Sequence, residues 1–252
     1  MTGKNKDDEE RQLAKIDNYL SLRGDMNVAD ILKENLGGSI LTPFDLDRVT
    51  IPAAGATTWE IQDVDEGIVA TRDITGIIIH SAPARSYWST GLDEGGVPQP
   101  PDCVSYDLVR GMGTPGGDCG TCPFNEWASD KKGGRGKACS ERRFLFLVRP
   151  DSYIPLVVQI PASSVKAINQ YFLRLAGKGT PYHAVVTSLT LEKTTQAGGG
   201  LPYSRAIPTL SGRLSEGDMA KVKGIVDSLK PMFGVVAQRM AEEPEPEDYI
   251  ND

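Results

Sequence analysis

The feature that most constrains the fold is a set of four cysteines, Cys103, Cys119, Cys122 and Cys139, spaced C-x15-C-x2-C-x16-C. They lie in a glycine- and proline-rich stretch, 91–140, whose apolar residues show little periodicity. Such a stretch could hardly fold without a cross-link or a metal ion. The central pair occupies the turn GGDCGTCP, where glycines let the backbone curl so that two thiolates face one ion. The spacing therefore predicts one tetrahedral zinc site.

Two alternatives to zinc follow from the same residues. Four cysteines also hold an iron–sulfur cluster, although this spacing lacks the clustered C-x2-C-x2-C run of many such sites. Four unrelated buried or free thiols are the other alternative. If zinc is bound, four thiolates complete its coordination shell and leave no position for a reacting water. The predicted metal is therefore structural, not catalytic.

The compartment expected for the chain agrees with a metal site. No apolar run approaches the roughly 18 residues that a membrane span needs. The first residues, MTGKNKDDEERQ, lack the apolar segment of a secretory signal, so we expect a cytoplasmic protein without membrane contact. Cysteines in the cytoplasm stay reduced and bind metals more often than they form disulfides.

The order of predicted elements indicates a β-rich α+β protein. Strands are predicted at 74–80, 143–148, 155–160, 183–193 and 203–214, with Pro208 marking the last as an edge strand. Helices are predicted at 161–177 and after Ser215, which forms a capping pair with Asp218. The pattern lacks regular βα alternation and instead suits a small β-barrel with an inserted metal ribbon and peripheral helices.

A basic segment follows the central cysteine pair. Residues 125–144 (NEWASDKKGGRGKACSERRF) combine six cations with aromatic residues, and cations on a glycine-bearing loop can follow a phosphate backbone while aromatic rings stack on bases. Residues 85–88 (RSYW) are a second, weaker candidate. The alternative is a solvated loop and packed core aromatics. The predicted nucleic-acid contacts are Arg85, Tyr87, Trp88, Trp127, Lys131, Lys132, Arg135, Lys137, Arg142 and Arg143.

The net charge of −7 is concentrated at one end of the chain. The last eleven residues, EEPEPEDYIND, carry six acidic groups and no basic ones, so residues 1–241 carry about −1 by the same count. An acidic pI therefore does not exclude a nucleic-acid partner that meets a local basic patch. The tail is expected to be disordered, and it can compete for the basic groove or recruit partner proteins through Tyr249 and Ile250. The alternative is a tail that only keeps the protein soluble and has no partner.

Catalytic motifs are missing from the sequence. It contains no G-x-S-x-G, P-loop or G-x-G-x-x-G pattern. Of the two histidines, His80 ends one predicted strand and His183 begins another, positions where structural packing is the commoner role. A non-enzymatic protein is therefore expected. An enzyme with its active site in a pocket near either histidine is the least favoured hypothesis.

The cysteine segments and the strands after them resemble a family of phage and mobile-element proteins. The matching segments are PDCVSYD, GDCGTCPFNEW, GKACSERRFLFLV, YIPLVVQIPASSVKAINQYFLRL and AVVTSLTLEK, between about Leu36 and Leu214. That family is regarded as single-stranded DNA-binding proteins with an OB-like barrel and a zinc ribbon. The resemblance implies that Cys103, Cys119, Cys122 and Cys139 are the metal ligands. The tail resembles the acidic C-termini of replication-type single-strand binders, although those often end in Phe.

Together these observations predict an N-terminal helical arm (1–40), an OB-like barrel (41–214) with a zinc-ribbon insertion (91–142), a C-terminal helix (215–240) and an acidic tail (241–252). The first functional hypothesis is a single-stranded DNA-binding protein of replication or recombination, phage- or mobile-element-encoded, whose tail attracts other replication or recombination proteins. The second is an interaction protein whose zinc ribbon docks on a host or phage protein without binding DNA.

Overall fold

The computed structural model describes residue 19 and residues 28–37, 45–89, 101–130, 135–195, 201–227 and 229. The acidic tail and most of the predicted N-terminal arm lie outside the described residues. None of the helices in these ranges is long and apolar enough to cross a membrane.

Strands dominate the described chain. They are β1 (Arg48–Thr50), β2 (Trp59–Asp63), β3 (Gly67–Thr71), β4 (Asp73–Tyr87), β5 (Cys103–Ser105), β6 (Arg110–Gly113), β7 (Gly117–Asp118), β8 (Ser140–Val148), β9 (Leu156–Ile160), β10 (Val185–Thr195) and β11 (Pro202–Arg213). The helices are α1 (Val28–Leu36), α2 (Ala162–Ala176) and α3, which covers 216–227. Short 3-10 turns lie at Pro123–Asn125 and Tyr182–Ala184.

The longest strand, β4, organises the main sheet. It pairs antiparallel with β8 over Ile77–Ser86, while its other partners meet it near its two ends: β10 at Asp73–Gly76 and β5 at Arg85–Tyr87. The sheet continues from β8 through β9 to β1, from β5 through β6 to β7, and from β10 to β11. The hairpin β2–β3 forms a separate two-stranded sheet.

Both faces of β4 are buried because its run ITGIIIH is apolar at almost every position. Ile74 and Ile78 pack on one face with Leu145, Leu147 and residues of α2. Ile77 and Ile79 pack on the other face with Phe146 and residues of α3. A nearly continuous apolar strand is what a sheet covered on both sides requires, since successive side chains point to opposite faces.

Polar contacts fix the elements that cover the sheet. The indole N–H of Trp59 donates to the Leu189 carbonyl at 2.9 Å, which ties the β2–β3 hairpin to β10. The backbone N–H of Ala206 donates to the Ser164 hydroxyl at 3.0 Å, which ties β11 to α2. The Ser215 hydroxyl accepts from the Asp218 N–H at 3.2 Å, so the predicted cap of α3 is confirmed.

The strand-rich α+β class is confirmed, but nine of the eleven described strands form one large open mixed sheet and not a closed barrel. A barrel needs a ladder between its first and last strands. Here β1 lies parallel to β9 and ends the sheet on one side, while β11 pairs with β10 alone. The two ends carry no ladder to each other within the described residues, so the predicted barrel is wrong for this part of the chain.

Candidate functional site

The cysteine segment grows out of the far end of β4 as a small antiparallel ribbon. Tyr87 of β4 pairs with Cys103 of β5, and Cys103 pairs in turn with Gly113 of β6. β6 then pairs with β7, which ends one residue before Cys119. After the central cysteine pair the chain forms the 3-10 turn Pro123–Asn125 and returns to the sheet through β8. The ribbon is thus an insertion between two strands that pair with each other.

Backbone hydrogen bonds shape the turn that carries Cys119 and Cys122. The Cys119 N–H donates to the Val109 carbonyl at 2.8 Å, and the Asn125 N–H donates to the Cys122 carbonyl at 3.0 Å. The Gly120 N–H donates to the Asp118 carboxylate at 2.6 Å. These bonds fold the turn back on itself, which brings its two thiols to the same side.

All four cysteines line one small cavity of about 10 Å³, the scale of a single water-sized sphere. Cys103, Cys119 and Cys139 are buried and Cys122 is half-buried, and none of the four is in a disulfide. As the side chains stand, no three His, Cys, Asp or Glu residues in the described ranges are arranged to hold a metal ion. The ribbon therefore gathers the four thiols around one point without closing them into a ligand group.

Two glycines shape the backbone around the Cys103 sulfur. A Cβ atom added to Gly111 would lie 2.8 Å from the Cys103 sulfur, closer than real Cβ contacts come. Gly116 has φ +67°, a left-handed conformation that other residues rarely adopt, and its backbone N–H is hydrogen bonded to the Cys103 sulfur. The backbone around this thiol is thus shaped to hold a sulfur and to donate to it.

The pKa values of two of the four thiols, Cys103 and Cys139, are raised. Burial raises the pKa of Cys139 to about 11, against a smaller opposing effect of the nearby Arg85 cation. Burial also raises the pKa of Cys103, and the other thiols of the cavity add to it. Without a bound cation, bringing several thiolates together in this cavity is unfavourable.

The loop between Cys122 and Cys139 presents an exposed aromatic side chain. Trp127 is 77% exposed, and the Lys137 ammonium lies 5.2 Å from the centre of its ring. The loop is closed by Ser129, whose hydroxyl donates to the Phe124 carbonyl at 3.0 Å and accepts from the Ala138 N–H at 3.0 Å. We call Trp127, Arg135 and Lys137 the ribbon tip. The predicted contacts Lys131 and Lys132 lie outside the described residues.

Asn125 connects the ribbon tip to the cysteine turn. Its side-chain amide donates to the Cys119 carbonyl at 2.7 Å, and its oxygen accepts from the Lys137 ammonium at 3.1 Å. The position of Lys137 over Trp127 therefore depends on the backbone beside Cys119. Sequence reasoning did not single out Asn125, because nothing in its spacing distinguishes it from an ordinary turn residue.

Three of the predicted nucleic-acid contacts point into the protein. Tyr87 is buried and stacks on Phe124 with 4.2 Å between ring centres. Arg85 donates to the Glu141 carboxylate at 3.2 Å, and its side chain is only 12% exposed. Arg143 donates to the Ser81 hydroxyl at 2.9 Å. Since their rings and guanidinium groups face other side chains, these residues have little surface to offer a nucleic acid.

Arg142 and Trp88 form a cation–aromatic pair. The Arg142 guanidinium stacks on the Trp88 ring at 4.4 Å, and burial lowers the pKa of this arginine. Two more aromatic rings meet where Phe144 of β8 lies near Tyr106, the residue after β5, with 5.7 Å between the ring centres. This partly buried group makes a second, smaller candidate surface, and Tyr106 and Phe144 were not among the predicted contacts.

Both histidines pack against aromatic rings. The His80 ring lies 5.4 Å from that of Phe146, and the His183 ring meets the Tyr182 ring edge-on at 5.7 Å. Burial is the main cause that lowers the pKa of each.

Comparisons with protein-family models, curated proteins and solved structures found no match. The functional interpretation therefore rests on the geometry of the cysteine cavity and the ribbon tip.

Proposed function

We propose that this chain is a non-enzymatic single-stranded DNA-binding protein whose four cysteines hold a structural zinc ion and whose ribbon tip contacts the nucleic acid. The observation that carries the proposal is the exposure of Trp127 beside Lys137, on a loop whose two ends are cysteines of one cavity. An indole with a neighbouring cation is suited to stack on an unpaired base while the cation meets a phosphate.

The donor set around the cavity supports zinc. Four thiols are the ligands of closed structural zinc sites, and the Gly116 N–H donates to one of them. The spacing of the four cysteines lacks the clustered C-x2-C-x2-C run of many iron–sulfur sites, which favours a single ion. Zinc would supply the cross-link that this ribbon of two- to four-residue strands lacks.

The Asn125 contacts support a link between the metal site and the ribbon tip. A metal held by Cys119 and Cys122 would fix the backbone carbonyl to which Asn125 donates, and Asn125 in turn holds Lys137. In this proposal the zinc ion does no chemistry on the nucleic acid. It holds the tip in the shape that binds.

A fluorescence-anisotropy titration with a labelled oligo-dT of about 30 nucleotides tests the proposal, at two salt concentrations. We expect binding that weakens with salt, with a log–log slope of about −4 if six phosphates are engaged. Trp127→Ala should weaken binding by about 5- to 150-fold, the range for loss of one stacked base. Val64→Ala is the matched control, because Val64 is 97% exposed on the turn between β2 and β3.

Charge reversal gives a second arm of the same experiment. Arg135→Glu with Lys137→Glu should abolish most of the binding, whereas Lys166→Glu with Lys178→Glu removes equal charge from exposed positions on and after α2 and should have much less effect. A chain ending at Met240 should bind more tightly if the acidic tail competes for the tip.

Absence of binding by the full chain and by the shortened chain would contradict the proposal. It would favour the alternative that the ribbon docks on another protein, for which an exposed tryptophan is equally suited. If both charge-reversal pairs weaken binding equally, the nucleic acid is held by overall charge, and the ribbon tip is not its site.

A further inference from the structure

Arg85 is a partly buried cation with an incomplete set of hydrogen-bond partners. Its Nη2 donates to Glu141 at 3.2 Å, and Glu141 itself is half exposed to solvent. The Nε and Nη1 atoms are buried and donate to no group in the described part of the chain. Burying the N–H donors of a charged group without acceptors costs free energy, and native structures rarely do so.

The free donors lie beside the thiols. Arg85 lines the same cavity as the four cysteines, and it is the only positively charged residue among the described residues that line it. The register explains the placement, because Arg85 pairs with Ser105 on one side and with Glu141 on the other. Each of these partners is two residues from a cysteine of the cavity, and residues two apart in a strand share a face.

A zinc ion with four thiolate ligands carries a net charge of −2, and this charge would be enclosed where water is largely excluded. Sulfur atoms bound to a metal keep lone pairs that accept hydrogen bonds, and groups that donate to metal ligands tune the affinity of the site. A guanidinium beside the cluster supplies both a compensating charge and directed N–H groups.

We propose that Arg85 donates from Nε and Nη1 to the thiolate sulfurs of the metal site, while Glu141 holds the guanidinium through Nη2. This inference rests on the proposed zinc site. Arg85 is thereby a positioning residue that stabilises the charged cluster, which gives a partly buried basic residue a role other than contact with nucleic acid. The ion pair with Glu141 alone would not require the other two nitrogens to be buried at the cavity.

The experiment compares the full-length chain with Arg85→Met, Arg85→Lys and Arg149→Met. Arg149 is the matched control, since it forms a similar ion pair with Asp151 at 2.9 Å and does not line the cysteine cavity. Zinc content per chain is measured first, followed by the transfer of zinc to a chromogenic chelator. We expect Arg85→Met to weaken zinc affinity by about 10- to 100-fold, as for other groups that donate to metal ligands, and Arg149→Met to leave it unchanged.

Cobalt substitution adds a readout that a purely structural role would not move. Loss of N–H donors to the sulfurs should shift the thiolate-to-cobalt charge-transfer band in Arg85→Met. Arg85→Lys, which keeps the charge and is the variant expected to fold best, should shift it less. If Arg85→Met does not fold, the lysine variant decides, because an unchanged band and unchanged zinc transfer would overturn the inference.

The two proposals fail in different ways. A wild-type chain that binds neither zinc nor cobalt overturns the metal site itself. A wild-type chain that binds zinc, with the same affinity and the same cobalt spectrum in both Arg85 variants, overturns the role of Arg85 and leaves the zinc site standing.

Discussion

The sheet and the cysteine ribbon share β4 but differ in what holds them together. In the sheet, Ile74, Ile77, Ile78 and Ile79 are almost completely buried between layers on both sides. In the ribbon, the buried cluster consists of Tyr87 and two cysteines, with Phe124 and Ala138 partly buried against them. Burial of apolar surface is enough to stabilise the sheet, whereas the ribbon buries too little apolar surface to be stable by this means alone. We therefore expect the ribbon to depend on its cysteines and the rest of the sheet to be stable without them.

The largest expected effect separates the two regions. Cys122→Ser removes one of the four ligands of the proposed zinc site, and zinc binding contributes on the order of 10 kcal/mol to the folding of small zinc modules. We expect loss of bound zinc and fast amide hydrogen exchange across 103–139, while β4, β8 and β10 stay protected. Hydrogen exchange followed by mass spectrometry measures both at once. Exchange that accelerates equally in β10 would contradict the independence of the sheet.

The converse substitution destabilises the sheet and leaves the ribbon unchanged. Leu147 is fully buried in β8, and Leu147→Ala should lower the free energy of unfolding by about 2–5 kcal/mol through lost burial and a cavity. Urea denaturation measures the change, and zinc content should remain that of the wild type. Leu173→Ala is the control, because Leu173 is 71% exposed on α2 and its loss should cost less than about 0.5 kcal/mol.

A smaller perturbation sharpens the comparison inside the ribbon. Gly111→Ala places a Cβ atom against the Cys103 sulfur, and overpacking of this kind costs about 1–3 kcal/mol. We expect zinc affinity to fall by about tenfold or more in a chelator competition, with little change in the urea midpoint of the sheet. Gly224→Ala serves as control, since a Cβ there meets no atom within 4 Å. Equal zinc affinity in both variants would show that the sulfur moves aside freely.

The smallest expected effect is a pH dependence of the sheet. Burial lowers the pKa of His80, so the unfolded chain, with a histidine pKa near about 6.5, binds the proton more readily. The contribution of neutral His80 to the free energy of unfolding is therefore fully present above about pH 6.5. It is lost as the pH falls from there toward the lowered pKa of the folded state. Urea midpoints at several pH values should fall less steeply in His80→Gln. An identical slope in the variant would assign the acid sensitivity to other groups.

Much of the sheet and its helices could be predicted because local pattern and burial agree there. The predicted strands 143–148, 155–160, 183–193 and 203–214 correspond to β8, β9, β10 and β11, and the helix 161–177 corresponds to α2. The strand predicted at 74–80 is shorter than β4, which continues through Pro83 to Tyr87. The short strands β1 to β3 were missed, since their stability comes from long-range contacts such as that of Trp59 with Leu189.

The candidate nucleic-acid contacts were only partly predictable, because successive side chains of a strand point to opposite faces of the sheet. Arg142 and Arg143 are consecutive in β8, so their side chains point to opposite faces, one to Trp88 and the other to Ser81. Tyr87 likewise points toward the cysteine cavity. Composition identified these residues as cationic and aromatic, but it could not say which of them remain at the surface once the strand has formed.

The pairing of Ser86 with Ser140 has a consequence for how this protein can vary. The insertion begins at the end of β4 and ends at the start of β8, at positions separated by only about 5 Å in any antiparallel pair. Whatever lies between them closes the same short gap, and the entropic cost of closing a loop grows slowly with its length. The segment from Trp88 to Cys139, which carries β5, β6 and β7, can therefore be lengthened, exchanged or replaced by a tight turn without stretching the pairing of β4 with β8. The junction between β4 and β8 is thus an insertion site at which the same sheet could carry a different inserted segment.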